Sequence, residues 1–535
     1  MLRRRLLALA SAGVMAASLA ACGGDTGGGD TGGGAEGGTP WILGTTDTVT
    51  SLDPAGSYDL GSSTLQYQMY QQLLTIPAGE TTPVGDAAES CEYENPTTYT
   101  CTLRDGLKFA NGHDLTSSDV KFTFERNINI ASPNGASVLL GSLMNADGGI
   151  DEGTIETPDE KTITFNLTKP DTTFQYVLTH ASAGSIVDEE VFPADKLATN
   201  AQAVGSGPFD MAQYEDGNQA TLAKSETYQG PRQAESSQVF VKYYKEPSAL
   251  KLAVENGEVD VAWRSLSPTD VADLKQSDSV EVIEGAGSEI RYFVWQLGTE
   301  MGGQQAVRQA VAELIDRDAI AQRAYDGTVE PLYSIVPPGF PGQVDAFQDK
   351  YGTDQSVDQA RKLLEDAGIQ TPVNLTLGYT PSHYGPAAVD EATELQRQLE
   401  GSGLFKIQLK SAEWTQYQEL YKQNAYDLFQ LGWFPDFLDA DNYLSPFFVD
   451  GGFYANNYSN SKVNQLVAKE QGTSDDQVRQ QVFEQLQQIV AEDVPLIPSW
   501  VGKNTAVVNP AMEGVEETLD PAFIFRMWTV SKNES

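Results

Sequence analysis

The sequence predicts a mixed α/β body behind an exported, glycine-rich leader. Three observations predict it. Short strand-like runs, such as 162–167 (TITFNL) and 237–242 (SQVFVK), alternate with amphipathic helical stretches. The 535 residues are 40% hydrophobic and 9% aromatic, enough for one or more buried cores. At roughly 150 residues per domain that length holds about two to four structural units. Beyond Pro40 there is no second hydrophobic span, fixed-period repeat or low-complexity linker that would divide the chain into independent beads.

The leader comes first. Arg3, Arg4 and Arg5 precede an apolar run over 6–21, too short to span a bilayer as a helix but built like a secretory signal. The run ends in Leu19-Ala20-Ala21-Cys22-Gly23, which resembles a bacterial lipobox. There, cleavage before Cys22 would leave its thiol to carry diacylglycerol; an ordinary signal peptide with an incidental cysteine is the alternative. Residues 1–21 are thus expected to be removed. Residues 22–40, with ten glycines between Gly23 and Pro40, cannot build a core and form a solvated tether.

The next signal is a hairpin. In the segment Ser90 to Thr102, a turn at Asn95-Pro96 sets Tyr93 opposite Tyr99 and Cys91 opposite Cys101 on one face. A disulfide there would add on the order of 2–3 kcal/mol. A zinc site is the weaker reading, since two cysteines are too few and no histidine is near in sequence. Asn111-Gly112 marks a tight turn. Helices are expected over 117–127, 306–325, 357–367, 388–400, 413–423 and 476–492. Thr116-Ser117-Ser118-Asp119 caps the first, ahead of Val120 and Phe124, and Gly368 stops the third.

Composition excludes several functions. With 34 Lys+Arg against 75 Asp+Glu the formal charge is −41, which opposes nucleic-acid binding and broad adsorption to anionic lipid. Enzyme constellations are missing. Gly205-Ser206-Gly207-Pro208 is neither a phosphate loop nor a nucleophile elbow. Ser459-Asn460-Ser461-Lys462 has the Ser-x-x-Lys spacing without its companion motifs. The three histidines, His113, His180 and His383, are widely spaced, and satisfied or exposed rings are their default. Asp436, Asp439 and Asp441 could be glycosidase acids or calcium ligands, but the EF-hand glycine is absent. No metal, cofactor or catalytic residue is expected.

Read in order, many segments resemble the extracellular solute-binding proteins of peptide ABC importers, the oligopeptide-, dipeptide- and nickel-binding family (family 5). The most specific is Leu103-Arg-Asp-Gly-Leu-Lys-Phe109, followed by the Asn111-Gly112 turn and a Thr-capped helix with Asp119-Val120. Leu52-Asp53-Pro54-Ala55, Val204-Gly205-Ser206-Gly207-Pro208-Phe209 and Gly257-Glu258-Val259-Asp260 also match. So do Gly432-Trp433-Phe434-Pro435-Asp436 and Val494-Pro495-Leu496-Ile497-Pro498. The resemblance implies a two-lobe, type II periplasmic-binding-protein-like fold with a hinge and an extra domain. The implied limits are 41–82 for lobe one, 83–201 for the extra domain and 202–288 back in lobe one. Lobe two would cover 289–500, and 501–535 would return to lobe one.

The same resemblance implies a lipid-anchored, monomeric receptor outside the cell membrane that captures peptides between its lobes and passes them to a membrane permease. Oligosaccharides, opine-like conjugates or metal chelates are the alternative ligands. An exported hydrolase and a structural lipoprotein are the alternative classes. Asp436 stands where the family's peptide binders place a carboxylate for the ligand's α-amino group; a loop cap or solvated acid is the other reading. Trp433 is a cleft wall or core residue. Tyr58, Trp295 and Gln296 lie in stretches that often face the cleft. Arg264 and Arg291 are the candidates for a carboxylate clamp, each equally readable as a surface ion pair. Asn442 completes the set. It ends Asp439-Ala440-Asp441-Asn442, where the family often has Asp-Pro-Asp-Asn, a change that alters loop stiffness and leaves the ligand's identity open.

Overall fold

Two long strands set the architecture of the computed structural model, which describes residues 38–533. The expected signal peptide, Cys22 and nearly all of the tether lie outside the described residues. Glu281–Trp295 and Leu496–Val508 run antiparallel to each other, and their pairing breaks register between Ala286 and Ile290. On one side of the break they continue into Val261–Trp263, Trp41–Thr45 and the meander Gln238–Tyr243, Gln219–Lys224 and Phe209–Glu215. On the other side they meet Leu428–Trp433, then Val373–Tyr379 and Phe405–Ser411 in parallel. One eleven-stranded sheet therefore serves two lobes, with the two long strands passing between them.

Parallel neighbours need a crossover, and the amphipathic helix Ala387–Gly401 supplies it between Val373–Tyr379 and Phe405–Ser411. Its Ala392, Leu395 and Leu399 are fully buried. Such i, i+3, i+4 spacing places an apolar stripe on the sheet.

A separate four-stranded sheet, in the order Ala88–Asn95, Thr98–Leu103, Thr162–Asn166 and Ile155–Glu156, carries its own core. The helix Ser117–Ile130 covers it through Val120 and Phe124, and Thr116 and Asp119 form its capping box. In the hairpin, Cys91 opposes Cys101 with Cα atoms 4.1 Å apart and the sulfurs bonded. Tyr93 and Tyr99, another pair of that register, pack with tilted rings at 4.4 Å between centroids.

Two sequence motifs prove to be joints between this sheet and the first lobe. Asp53 of Leu-Asp-Pro-Ala accepts a bidentate pair from Arg126 at 2.9 and 2.6 Å and also caps Ala55 N. Gly205 and Gly207 press against the end of the helix Leu60–Met69; a Cβ on them would lie 1.9 Å from Met69 O and 2.3 Å from Gln68 O. That close approach, and no phosphate loop, is why the segment is glycine-rich.

One expectation needs correction. Residues 306–325 are two helices, Gln305–Ala312 and Arg317–Tyr325. Asp316 leaves the helical region and caps the second by accepting from Ala319 N at 2.9 Å, so the apolar period continues while the helix axis does not.

Candidate functional site

The site begins where the strand Leu428–Trp433 ends. Asp439 caps the short helix Ala440–Tyr443 by accepting from Asp441 N at 2.9 Å. This fixes Asn442, which is buried and works behind the cavity wall. Its Oδ1 accepts from Trp433 Nε1 (3.0 Å) and Asp436 N (2.9 Å), while its Nδ2 donates to Asp436 Oδ2 (3.2 Å). Asn442 thus sets the orientation of both neighbours. Asp439 is itself clamped by Arg479, at 2.9 and 2.7 Å.

Across the cavity, Tyr58 follows the turn Pro54–Gly56 and donates its hydroxyl to Asp436 Oδ1. Burial pushes the Asp436 carboxyl above its ordinary range, against the lowering effect of the Tyr58 and Asn442 hydrogen bonds. Burial, then the charge of Asp436, pushes the Tyr58 phenol far up, so it stays a donor. His180 stands edge-on to Tyr58 at 5.6 Å. Its Nδ1 accepts from Ser182 N and Ala183 N, and burial lowers its pKa to about 4. The ring is therefore neutral with its proton assigned to Nε2.

Arg264 occupies another part of the wall. Its guanidinium lies 5.6 to 5.8 Å from the ring centroids of Trp263, Phe434 and Phe523. Among the described residues no carboxylate pairs with it, and its buried Nη1 has no hydrogen-bond partner. A partly buried cation without a counter-charge gains from any group that supplies one.

Together these residues enclose a cavity of about 670 Å³, lined by Tyr58, His180, Arg264, Trp433, Asp436 and Phe523 among others. That lies within the roughly 300–1,000 Å³ typical of small-molecule sites. Val138, 70% exposed, and Phe453, 51% exposed, give it an apolar rim.

Four of the eight sequence candidates thus line one cavity: Tyr58, Arg264, Trp433 and Asp436. Asn442 supports them from behind. The other three lie elsewhere. Trp295 and Gln296 are fully buried: Trp295 ends a strand that pairs on both sides, and Gln296 lies just past it, donating its backbone N–H to Asp427 O. Gln296 spends its amide on Tyr421 O, Ala455 O and Asn457. Arg291 pairs with Glu289 at 2.7 Å and lies over the rings of Tyr384 and Trp500. Phe434, Phe523 and His180 were not anticipated. Phe434 was within reach, being next to Trp433, whereas Phe523 has no sequence signal at all.

Residues 82–455 match the bacterial extracellular solute-binding proteins, family 5. The probable D,D-dipeptide-binding periplasmic protein DdpA of Escherichia coli (strain K12) is 27% identical over 507 residues, covering 92% of this chain and 94% of the relative. The dipeptide-binding protein of the same organism is 26% identical, covering 82% and 84%. Among solved structures, the ABC transporter-associated periplasmic binding protein DppA from Helicobacter pylori, in complex with peptide STSA, superimposes with a TM-score of 0.73 at 22% identity. That match covers 93% of this chain and 99% of the other. The family match spans more than half of the sequence and the fold is the two-lobed one, so the chain belongs to the family 5 bacterial extracellular solute-binding proteins.

Proposed function

We propose that the protein is the extracellular receptor of an ABC importer. It captures short peptides with a free amino terminus in the cavity between its lobes and passes them to the membrane permease. One observation carries this reading: a single cavity holds a carboxylate, Asp436, already oriented by Asn442, and an unpaired guanidinium, Arg264. A zwitterion complements both. The α-ammonium would replace the Tyr58 hydroxyl at Asp436, and a ligand carboxylate would supply the charge that Arg264 lacks. Relatives named for dipeptide binding support the same class.

Asp436 and Arg264 reach the cavity from distant sequence segments, which the domain limits given above assign to different lobes. A ligand held by both stabilises the closed arrangement, because only contacts made better in one state shift the balance. Attachment through a lipid on Cys22, the monomeric state and the domain limits given above belong to this reading.

The test is ligand-dependent thermal unfolding of the mature chain with di- to hexapeptides and, in parallel, an oligosaccharide. A peptide at one hundred times its Kd should stabilise the fold by about 2.7 kcal/mol. Stabilisation by the oligosaccharide with none by any peptide would refute the peptide assignment.

A further inference from the structure

Arg264 borders two cavities. Besides the one described, a second of about 250 Å³ lies beside the strands that pass between the lobes, and Arg264 and Phe523 line both. The remaining walls of this hinge cavity come from both ends of the crossing: Val271 on one side, Tyr325 on the other, and Trp500, Gly502 and Lys503 on the strand Leu496–Val508 itself.

Its charge is unbalanced. Glu289 is the acid in the lining, and it is engaged by Arg291 at 2.7 Å. Lys503 is held only loosely, by Glu284 at 3.4 Å and Glu330 at 3.9 Å, and Arg264 by no acid among the described residues. The partition between the cavities is also conformationally unusual. Arg264 (φ 59°), Ser265 (φ 64°) and Phe523 (φ 52°) all adopt the left-handed region that non-glycine residues avoid. Such backbone persists where its surroundings over-determine it, and it concentrates at binding sites.

We propose that the hinge cavity is a second compartment of the binding site, receiving the carboxylate-bearing end of peptides longer than a dipeptide, with Arg264 as the anchor shared by both compartments. This rests on the peptide reading above. A dipeptide leaves its carboxylate at Arg264 in the main cavity. A tripeptide continues past Phe523, where Lys503 favours an acidic third residue. Because the hinge cavity is built from both lobes at the crossing, its occupation also holds the pivot in one arrangement.

Gly502 offers a way to fill this compartment without touching the main cavity. It does not need a positive φ, and an added Cβ would meet Glu289 O and Trp500 Cζ3 at 3.6 Å, ordinary contact with two lining residues. Calorimetric titration of the wild type, Gly502→Leu and Lys503→Gln with Ala-Ala, Ala-Ala-Ala and Ala-Ala-Glu tests the proposal. Gly502→Leu should weaken both tripeptides by roughly tenfold or more, as overpacking does, while Ala-Ala stays within about twofold. Lys503→Gln should weaken Ala-Ala-Glu about fivefold more than Ala-Ala-Ala, the scale of a partly exposed charge pair. If Gly502→Leu leaves the tripeptides unaffected, or weakens Ala-Ala equally, the second compartment is refuted while the peptide reading stands. Should Gly502→Leu fail to fold, Lys503→Gln decides: an equal effect on both tripeptides overturns the proposal. Failure of all three peptides to bind the wild type overturns the peptide reading and this proposal together.

Discussion

Asp436→Asn separates a carboxylate that recognises an amine from one that merely shapes a loop. Asparagine keeps the volume of the side chain and one oxygen to accept from Tyr58 or Asn442, and exchanges the charge and the second acceptor for an amide NH2. A hydrogen bond to a charged group contributes about 1.5–3 kcal/mol net. The enclosed site, with its lower dielectric, moves this toward the upper end. The existing Tyr58 bond has to be displaced by the ligand, and the burial that raises the Asp436 pKa works against the charged form; both move it back. A loss of about 2–3 kcal/mol follows, or roughly 30- to 150-fold in Kd for peptides with a free amino terminus. N-acetylated peptides, which have no ammonium, should lose little. The ligand-free variant should unfold close to the wild-type temperature, since relief of the acid's burial offsets the one acceptor that the amide nitrogen no longer offers. Calorimetric titration of paired free and acetylated peptides reads the difference directly. An equal loss for both would refute the assignment of Asp436 to the amino terminus.

The raised pKa of Asp436 also fixes a pH dependence. Binding of an ammonium favours the carboxylate, so the complex holds fewer protons than free receptor and ligand, and affinity should rise with pH through the raised pKa and fall below it. Titrations in buffers of different ionisation enthalpy should register the released proton above the ordinary carboxylate range; an affinity that does not change with pH there counts against the scheme. Arg479→Ala addresses the support of the site. Burial, then Asp441, pushes Glu470 up to about 11, so it is neutral near pH 7 and the formal ion pair is Arg479 with Asp439. Removing the arginine leaves a buried carboxylate at the cap of the helix carrying Asn442 and should cost about 3–5 kcal/mol in denaturant unfolding. A loss below about 1 kcal/mol would mean that this cap is not what holds the loop.

What could be read from the chain alone was whatever depends on neighbours in sequence. The Cys91–Cys101 pairing follows from a hairpin only a few residues long, and the Thr116–Asp119 box from a cap completed within one turn. The place of Asp436 in the cavity wall was anticipated because Gly432 to Asp436 is a contiguous motif that carries the family resemblance. The helix over 306–325 was misread for the same reason: its apolar period is local and runs on, whereas the break at Asp316 belongs to a backbone that must turn between two packing partners.

The composition alone excluded polyanionic partners, and the ordered motifs identified the family. Which residues share one cavity was decided only by the tertiary structure. Trp295 and Gln296 lie in a stretch that looked cleft-facing, yet Trp295 ends a strand paired on both sides. Gln296, just past it, is buried among Tyr421, Ala455 and Asn457, because burial depends on what covers a segment and not on its own sequence. The two arginines were indistinguishable as letters. Arg291 has Glu289 beside it and two aromatic rings against it. Arg264 meets Phe434 and Phe523, brought together from segments about 90 residues apart, and among the described residues no acid pairs with it. An arginine's availability is set by the counter-charges that folding brings within reach, and those come from distant parts of the chain.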